Sequence, residues 1–238
     1  MAGVFRWLAA RDSFAVVQIG AYVGNSPNDP LYDFLRATLP GHPASVAVLV
    51  EPVRESFDAL RDAYGDLPMV HLENVAIAEE EGERDFYRLD PDVDPTEHGH
   101  PEGLTQMGSL HPDRMINFWH HWEREPDQKL KDFWVQHRTV EKVHCWTFHQ
   151  LLERHRLDHV DLLQIDAEGY DYEILRTIDF SRLRPRFINY EHVHLHEDEA
   201  ACRTVLTEAG YVLFDWSVDT LAVALESSQP LGAAGLSE

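Results

Sequence analysis

In residues 161–169, Asp161-Leu162-Leu163-Gln164-Ile165-Asp166-Ala167-Glu168-Gly169, an apolar run stops abruptly at two carboxylates and a glycine. A helical pattern over residues 170–178 follows. Ligands of an open α/β sheet sit beyond the carboxyl ends of its strands, which puts Asp166 and Glu168 at a rim where chemistry is done. Two other segments end similarly: residues 16–24, closing in Gly20-Ala21-Tyr22-Val23-Gly24, and residues 46–51, closing in Glu51. Three such strand ends predict one nucleotide-sized cleft. Gly20 and Gly24 let the backbone approach a ligand and take positive φ, although the same spacing also makes a plain tight turn. The turn lacks a full GxGxxG and no Lys-Ser/Thr follows it, so a phosphate cradle is not indicated. Glu51, 27 residues after Gly24, can accept two hydrogen bonds from a ribose diol; the alternative is a solvated strand-end acid. Asn74 and the backbone of Val75-Ala76 close a third strand, where an adenine edge can be read.

The elements that must position these residues alternate. Strands are expected at 15–20, 46–50, 69–73, 160–165 and 186–190. Helices are expected at 31–39, from Val53 through Phe57, Leu60 and Tyr64 on one face, at 170–178, and at 197–209 with Gly210 as its stop. Thr147-Phe148-His149-Gln150 is a capping-box pattern opening a helix to about residue 155. Short strands are read at 85–89 and 139–145. Residues 211–216 and 220–225 form two strands joined by a three-residue turn. This order makes a doubly wound α/β fold, its mostly parallel sheet covered on both faces and closed by one antiparallel strand. Residues 90–138 break the rhythm. They hold six of the fifteen histidines, three of the six tryptophans and five prolines, and read as an insertion covering the cleft within a single domain of residues 1–225. His98, His100, His111, His120 and His121 show no tight ligand spacing and are assigned to its surface or to a substrate lid. Trp119, Trp122, Phe133 and Trp134 are expected to pack it on the sheet. Residues 226–238 are expected to be disordered.

The chain has 238 residues, 44% hydrophobic, enough for one well-buried domain. With 20 Lys plus Arg against 42 Asp plus Glu, the formal net charge is −22. Such a surface repels phosphate backbones and anionic membranes, so neither nucleic acid nor membrane is an expected partner. Cys145 and Cys202 form no CxxC pair or disulfide framework, which fits a reducing cytoplasm. No apolar run approaches the roughly 20 residues that span a bilayer. Residues 1–10 read as a first amphipathic helix rather than a signal peptide.

Gly20-Ala21-Tyr22-Val23-Gly24, Val50-Glu51-Pro52, Glu73-Asn74-Val75-Ala76-Ile77-Ala78, residues 164–169 and Tyr190-Glu191-His192 resemble, in order, the successive motifs of FkbM-type methyltransferases. These belong to the class I S-adenosylmethionine-dependent, Rossmann-like fold. The resemblance implies a seven-stranded sheet with strand seven antiparallel. It places Gly20, Ala21 and Gly24 against the methionine part of the cofactor, Glu51 with Pro52 at the ribose, and Asn74, Val75 and Ala76 at the adenine. Ser109-Leu110 matches a serine-leucine element of the family, bringing Ser109 toward cofactor or substrate. Two positions and one loop depart from the pattern, the loop over residues 25–30 lacking the commoner aliphatic sequence. The family's acid two residues before the first glycine is here Gln18, which can still meet the cofactor ammonium through its carbonyl. The asparagine that follows the Gly-Ala pair is here Tyr22.

The resemblance implies methyl transfer, with a hydroxyl of a sugar or small natural product as acceptor. Such a hydroxyl must lose its proton, either to a histidine or by binding a divalent cation that lowers its pKa. Asp166, Glu191 and His192 converge in this topology, as do the magnesium ligands of catechol-type O-methyltransferases. They form the expected metal set, for Mg²⁺ or another divalent ion, unless the cluster is salt-bridged without metal. His192, His194 and His196 alternate and in an extended segment would point to one side, as ligands or as polar residues of a strand leaving the sheet. Without a metal, His192 is the first candidate base and His194 the second, beside Asp166. Two alternatives stand. One is a nicotinamide-dependent oxidoreductase on a similar sheet, for which no full glycine fingerprint or Tyr-xxx-Lys pair is found. The other is a cofactor-binding interaction protein that has lost transfer. The sequence leaves the state open, monomer or homo-oligomer.

Overall fold

The strands of the main sheet alternate their side chains between two cores. Val17, Val48, Val50, Leu163 and Ile188 enter one apolar cluster, whereas Val16, Ala47, Leu49, Leu162 and Phe187 enter another. A sheet buried on both faces needs apolar residues at consecutive positions, which is why Val46–Val50 reads Val-Ala-Val-Leu-Val. The computed structural model describes residues 1–26, 29–112 and 128–225.

Among these residues, seven strands form the sheet: β1 (Ala15–Ile19), β2 (Val46–Val50), β3 (Val70–Glu73), β8 (Leu162–Ile165), β9 (Phe187–Glu191), β10 (Tyr211–Trp216) and β11 (Asp219–Ala224). Their spatial order is β10-β11-β9-β8-β1-β2-β3. Neighbours from β3 to β9 pair in parallel, and β11 runs antiparallel to both β9 and β10. The order reverses between β1 and β8, the topological switch point where such sheets bind ligands. Helices α1 (Ala2–Ala9), α2 (Pro30–Thr38) and α3 (Arg54–Tyr64) cover one face. Helices α5 (Phe148–His155), α6 (Asp171–Leu175) and α7 (Glu199–Glu208) cover the other. At the start of α5 the capping box forms as expected, Thr147 Oγ1 accepting from the Gln150 amide at 3.1 Å while Gln150 Oε1 accepts from the Thr147 amide at 2.8 Å.

Three local expectations change. Helix α6 is shorter than residues 170–178, because its end tightens into i→i−3 bonds such as Thr177 N–H to Ile174 O. The β10–β11 hairpin has a two-residue turn, since Asp219 pairs with Trp216 and Ser217 takes φ +52°. The alternating histidines do not share a side: β9 stops at Glu191, Leu195 N–H turns back to His192 O, and His196 has φ +50°.

A second sheet was not foreseen. Strands β4 (Ala76–Ile77), β5 (Gly82–Leu89), β6 (Gly108–Ser109) and β7 (Arg138–Trp146) assemble in the order β4-β7-β5-β6. The insertion packs against this sheet through its own small core, where Phe133 and Trp134 of α4 (Gln128–His137) meet Leu89, Leu104 and Met107. His120, His121, Trp119, Trp122 and the 226–238 tail lie outside the described residues.

Candidate active site

A cavity of about 570 Å³ opens at the carboxyl ends of β1, β2, β8 and β9, under residues 101–110 of the insertion. That is ample for a nucleoside-sized ligand. The predicted residues Gln18, Gly20, Ala21, Glu51, Pro52, Val75, Ala76, Asp166, Glu191 and His194 line it, whereas Gly24, Asn74, Ser109 and His192 do not.

The β1 turn is held by the neighbouring strands. Gly20 and Ala21 N–H both donate to Val50 O at 3.0 Å, and Asp166 N–H donates to Ile19 O at 2.9 Å. Gly20 has φ +80°, and a Cβ there would stand 1.8 Å from the Asp166 carbonyl oxygen. Gly24 instead makes room for α3, its missing Cβ lying 2.7 Å from the Tyr64 ring. Tyr22 sits between them at φ +47°, a conformation that asparagine tolerates and tyrosine resists.

Glu51 is almost completely buried, and its two oxygens accept from Tyr22 N–H at 2.9 Å and Val53 N–H at 2.8 Å. Burial nonetheless pushes its pKa up to about 7. Each carboxylate oxygen has a second lone pair, so two ribose hydroxyls can still be accepted. Asn74 braces this strand end, its amide donating to Glu51 O and Pro52 O, both at 2.9 Å. Ser109 is buried in β6, with its hydroxyl oxygen accepting from His111 N–H.

Carboxylates dominate the β8–β9 edge. Asp166 faces the cavity, yet enclosure by protein and the nearby Asp171 charge lift its pKa to about 8. Asp171, fully buried, accepts from the Ala167 and Glu191 amides and fixes this loop. Glu168 and Gly169 are both left-handed, at φ +50° and +87°; the glycine takes this freely, the glutamate only under strain, and the turn brings Glu168 toward β9. There the metal set differs from expectation. Glu168, Glu191 and His194 bring ligand atoms within 4.8 Å of one another. His194 Nε2 lies 3.2 Å from Glu191 Oε2 and 3.5 Å from Glu168 Oε2, yet these two buried oxygens accept no hydrogen bond. Burial first, then neighbouring carboxylates, raises both glutamic acids well above the ordinary range. His192 is excluded because the chain has already left the strand, and its Nδ1 instead meets Thr220 Oγ1 at 3.1 Å.

Sequence reasoning missed Asp29, Arg88 and Asp219, all lining the cavity. No local pattern marks them. Arg88, the one arginine on the lining among the described residues, is already paired with Glu141 at 2.9 Å and Glu55 at 3.3 Å.

The family model for the FkbM methyltransferase domain matches residues 18–213. No curated protein matches significantly. Among solved structures, precorrin-6Y C5,15-methyltransferase from Geobacter metallireducens is 11% identical, with 93% of this chain and 85% of that chain covered and a TM-score of 0.42. Fibrillarin from Aeropyrum pernix, in complex with natively bound S-adenosyl-L-methionine, is 10% identical over 89% of this chain and 66% of its own, at a TM-score of 0.39. Together with the motif order in the cavity, the match over residues 18–213 establishes that the chain belongs to the FkbM methyltransferase family.

Proposed function

We propose that this protein transfers the methyl group of S-adenosylmethionine to a hydroxyl of an uncharged small molecule, such as a sugar or natural product. One observation carries the reading: the β1, β2 and β8 strand ends and the Val75-Ala76 segment share a single cavity, and the Glu168–Glu191–His194 cluster closes its far edge. The methyl carbon–sulfur bond breaks as the carbon–oxygen bond forms, and the acceptor proton needs a destination. His194 Nε2, held between Glu168 and Glu191 on the cavity wall, is the proposed base. Asp29, Glu51, Asp166, Glu168, Glu191 and Asp219 all line the cavity against the paired Arg88. The net charge of −22 favours a neutral acceptor over nucleic acid or another polyanion.

The buried, unbonded oxygens of Glu168 and Glu191 favour a second reading of the proton step. With His194 they fit a divalent cation, their oxygen and nitrogen donors suiting Mg²⁺ or Mn²⁺. Such an ion, when bound, would lower the pKa of a coordinated hydroxyl.

Methyl release to a panel of hydroxylated acceptors tests the function, and thermal shift with S-adenosylhomocysteine against NADH tests the cofactor class. Stabilisation by NADH alone would move the chain to the oxidoreductases. Binding of S-adenosylhomocysteine without any transfer would support the non-catalytic alternative. Loss of activity in EDTA, restored by Mg²⁺ or Mn²⁺, selects the cation; full activity in EDTA leaves His194 as base.

A further inference from the structure

The β10–β11 hairpin turn forms one wall of the cavity, with Trp216, Ser217, Val218 and Asp219 all on the lining. Glu191, Asp219 and Trp216 are direct partners across β9, β11 and β10, so their side chains leave one face of the sheet in a row. Two strand spacings make that row about 10 Å long. It starts at the Glu168–Glu191–His194 cluster and ends at Trp216, which is 40% exposed. An exposed tryptophan is usually free to turn, but this one is anchored, its Nε1 donating to Asn189 Oδ1 at 3.2 Å. The buried Asn189 is also a side-chain donor to Asp219. One amide thus holds both the indole and the carboxylate in place. Asp219 is half-buried and keeps further lone pairs for a ligand. In the sheet, β11 and β10 lie beyond β9, on the side away from β1 and β2. This wall is therefore remote from the strand ends that carry Gly20 and Glu51, and falls to the acceptor.

We propose that Trp216 and Asp219 bind the methyl acceptor, and that this acceptor is a saccharide with one pyranose ring stacked on the Trp216 indole. A pyranose carries polarised C–H bonds on its face and hydroxyls around its rim. The electron-rich indole face attracts the first, and the Asp219 carboxylate accepts from the second. A ring stacked there turns another rim hydroxyl along the row toward Glu191 and the proposed base, His194. A flat phenol would stack as well, but with its hydroxyl at His194 it offers Asp219 no donor. Asn189 is a positioning residue for both groups. The inference rests on the hydroxyl-methylation reading and narrows its acceptor to one class.

Ligand-observed NMR and methyl transfer test it, with the methyl pyranosides of glucose, galactose, mannose and rhamnose set against catechol. The wild-type protein should bind at least one pyranoside, shifting its C–H protons upfield in the indole ring current, and should methylate it in preference to catechol. Trp216→Ala should raise KM for that pyranoside by about tenfold, the loss of an aromatic stack, and leave kcat within about threefold. Trp216→Phe keeps a ring and should recover part of the loss. Asp219→Asn should also raise KM, by weakening a charge-assisted hydrogen bond. Phe214→Ala removes a more exposed ring from the same face of β10, outside the cavity, and should change neither constant. An unchanged KM in Trp216→Ala overturns the subsite. Absence of pyranoside binding and transfer, with or without transfer to catechol, overturns the saccharide. Both results leave the cofactor reading standing. A wild-type protein that fails to bind S-adenosylhomocysteine in calorimetry sinks that reading instead, and the pyranoside NMR signals then still decide the subsite.

Discussion

Gly20 is packed so closely on Asp166 that any side chain at position 20 would occupy the Asp166 carbonyl oxygen, the distance from an ideal Cβ being 1.8 Å. The first and fourth parallel strands of the sheet thus meet at backbone contact where the cofactor segments converge. Neither neighbour can yield, because Gly20 N–H is tied to Val50 and Asp166 N–H to Ile19. Gly20→Ala should therefore cost more than an ordinary overpacked core change, about 3 kcal/mol or above, with a fall in Tm of at least about 6 °C. Gly3→Ala, where an added Cβ meets nothing within 4 Å, is the control and should be neutral or slightly stabilising. Equal melting temperatures for the two variants would contradict the contact.

Tyr22 occupies a left-handed position at φ +47°, which costs a branched or bulky residue roughly 1–2 kcal/mol. Asparagine, the family's common residue there, adopts this region more readily. Its backbone N–H would keep the bond to Glu51, since that bond needs no side chain. Tyr22→Asn should raise Tm by about 2 °C, read by calorimetric scanning. A fall would show that the Tyr22 ring contributes more packing than its backbone loses.

Much of this was legible because the signals are local. The apolar runs at 46–50 and 162–165 and the Thr147 capping box each depend on a few adjacent residues. The second sheet was not, because β5 pairs with β7 across the insertion, Gly82 matching Cys145 and Leu89 matching Arg138. No periodicity records a partner some fifty residues away. The site divides likewise. Strand-end acids marked the cleft, but which histidine enters it depends on where β9 stops. One residue of turn places His192 on Thr220, and two more bring His194 to Glu168 and Glu191. Asp29 was hidden because it reaches the cavity from a loop that folds back on Gln18.

Glu51 gives the site a pH dependence. Burial raises its folded pKa from 4.5 to about 7, so its favourable contribution to stability is complete below the unfolded value and is lost as pH rises through about 7. Ribose recognition runs the other way, because an ionised carboxylate is the better acceptor. Affinity for S-adenosylhomocysteine should therefore increase with pH, by up to about tenfold per unit below pH 7, and level off above it. Glu51→Gln should flatten that component and weaken binding above about pH 7, while improving the relative stability of the ligand-free protein there. Calorimetric titrations of both proteins from about pH 5 to about pH 8 check the sign. Parallel profiles would remove Glu51 from the ribose.

His194 and His192 are two residues apart and should fail differently. His194 faces Glu168 and Glu191 on the cavity wall, so His194→Gln should lower turnover by about 10²–10⁴-fold, the usual contribution of a positioned base. On the proposed role as base, cofactor affinity should stay within about twofold. His192 is buried away from the cavity against Thr220. Its replacement by glutamine should cost about 1 kcal/mol of stability through the lost hydrogen bond and leave turnover near wild type. Single-turnover rates and thermal unfolding, measured on both variants, separate the two roles. If turnover collapses in His192→Gln and survives in His194→Gln, the proton leaves by the opposite face of the β9 end, and the Glu168–Glu191–His194 cluster holds structure rather than chemistry.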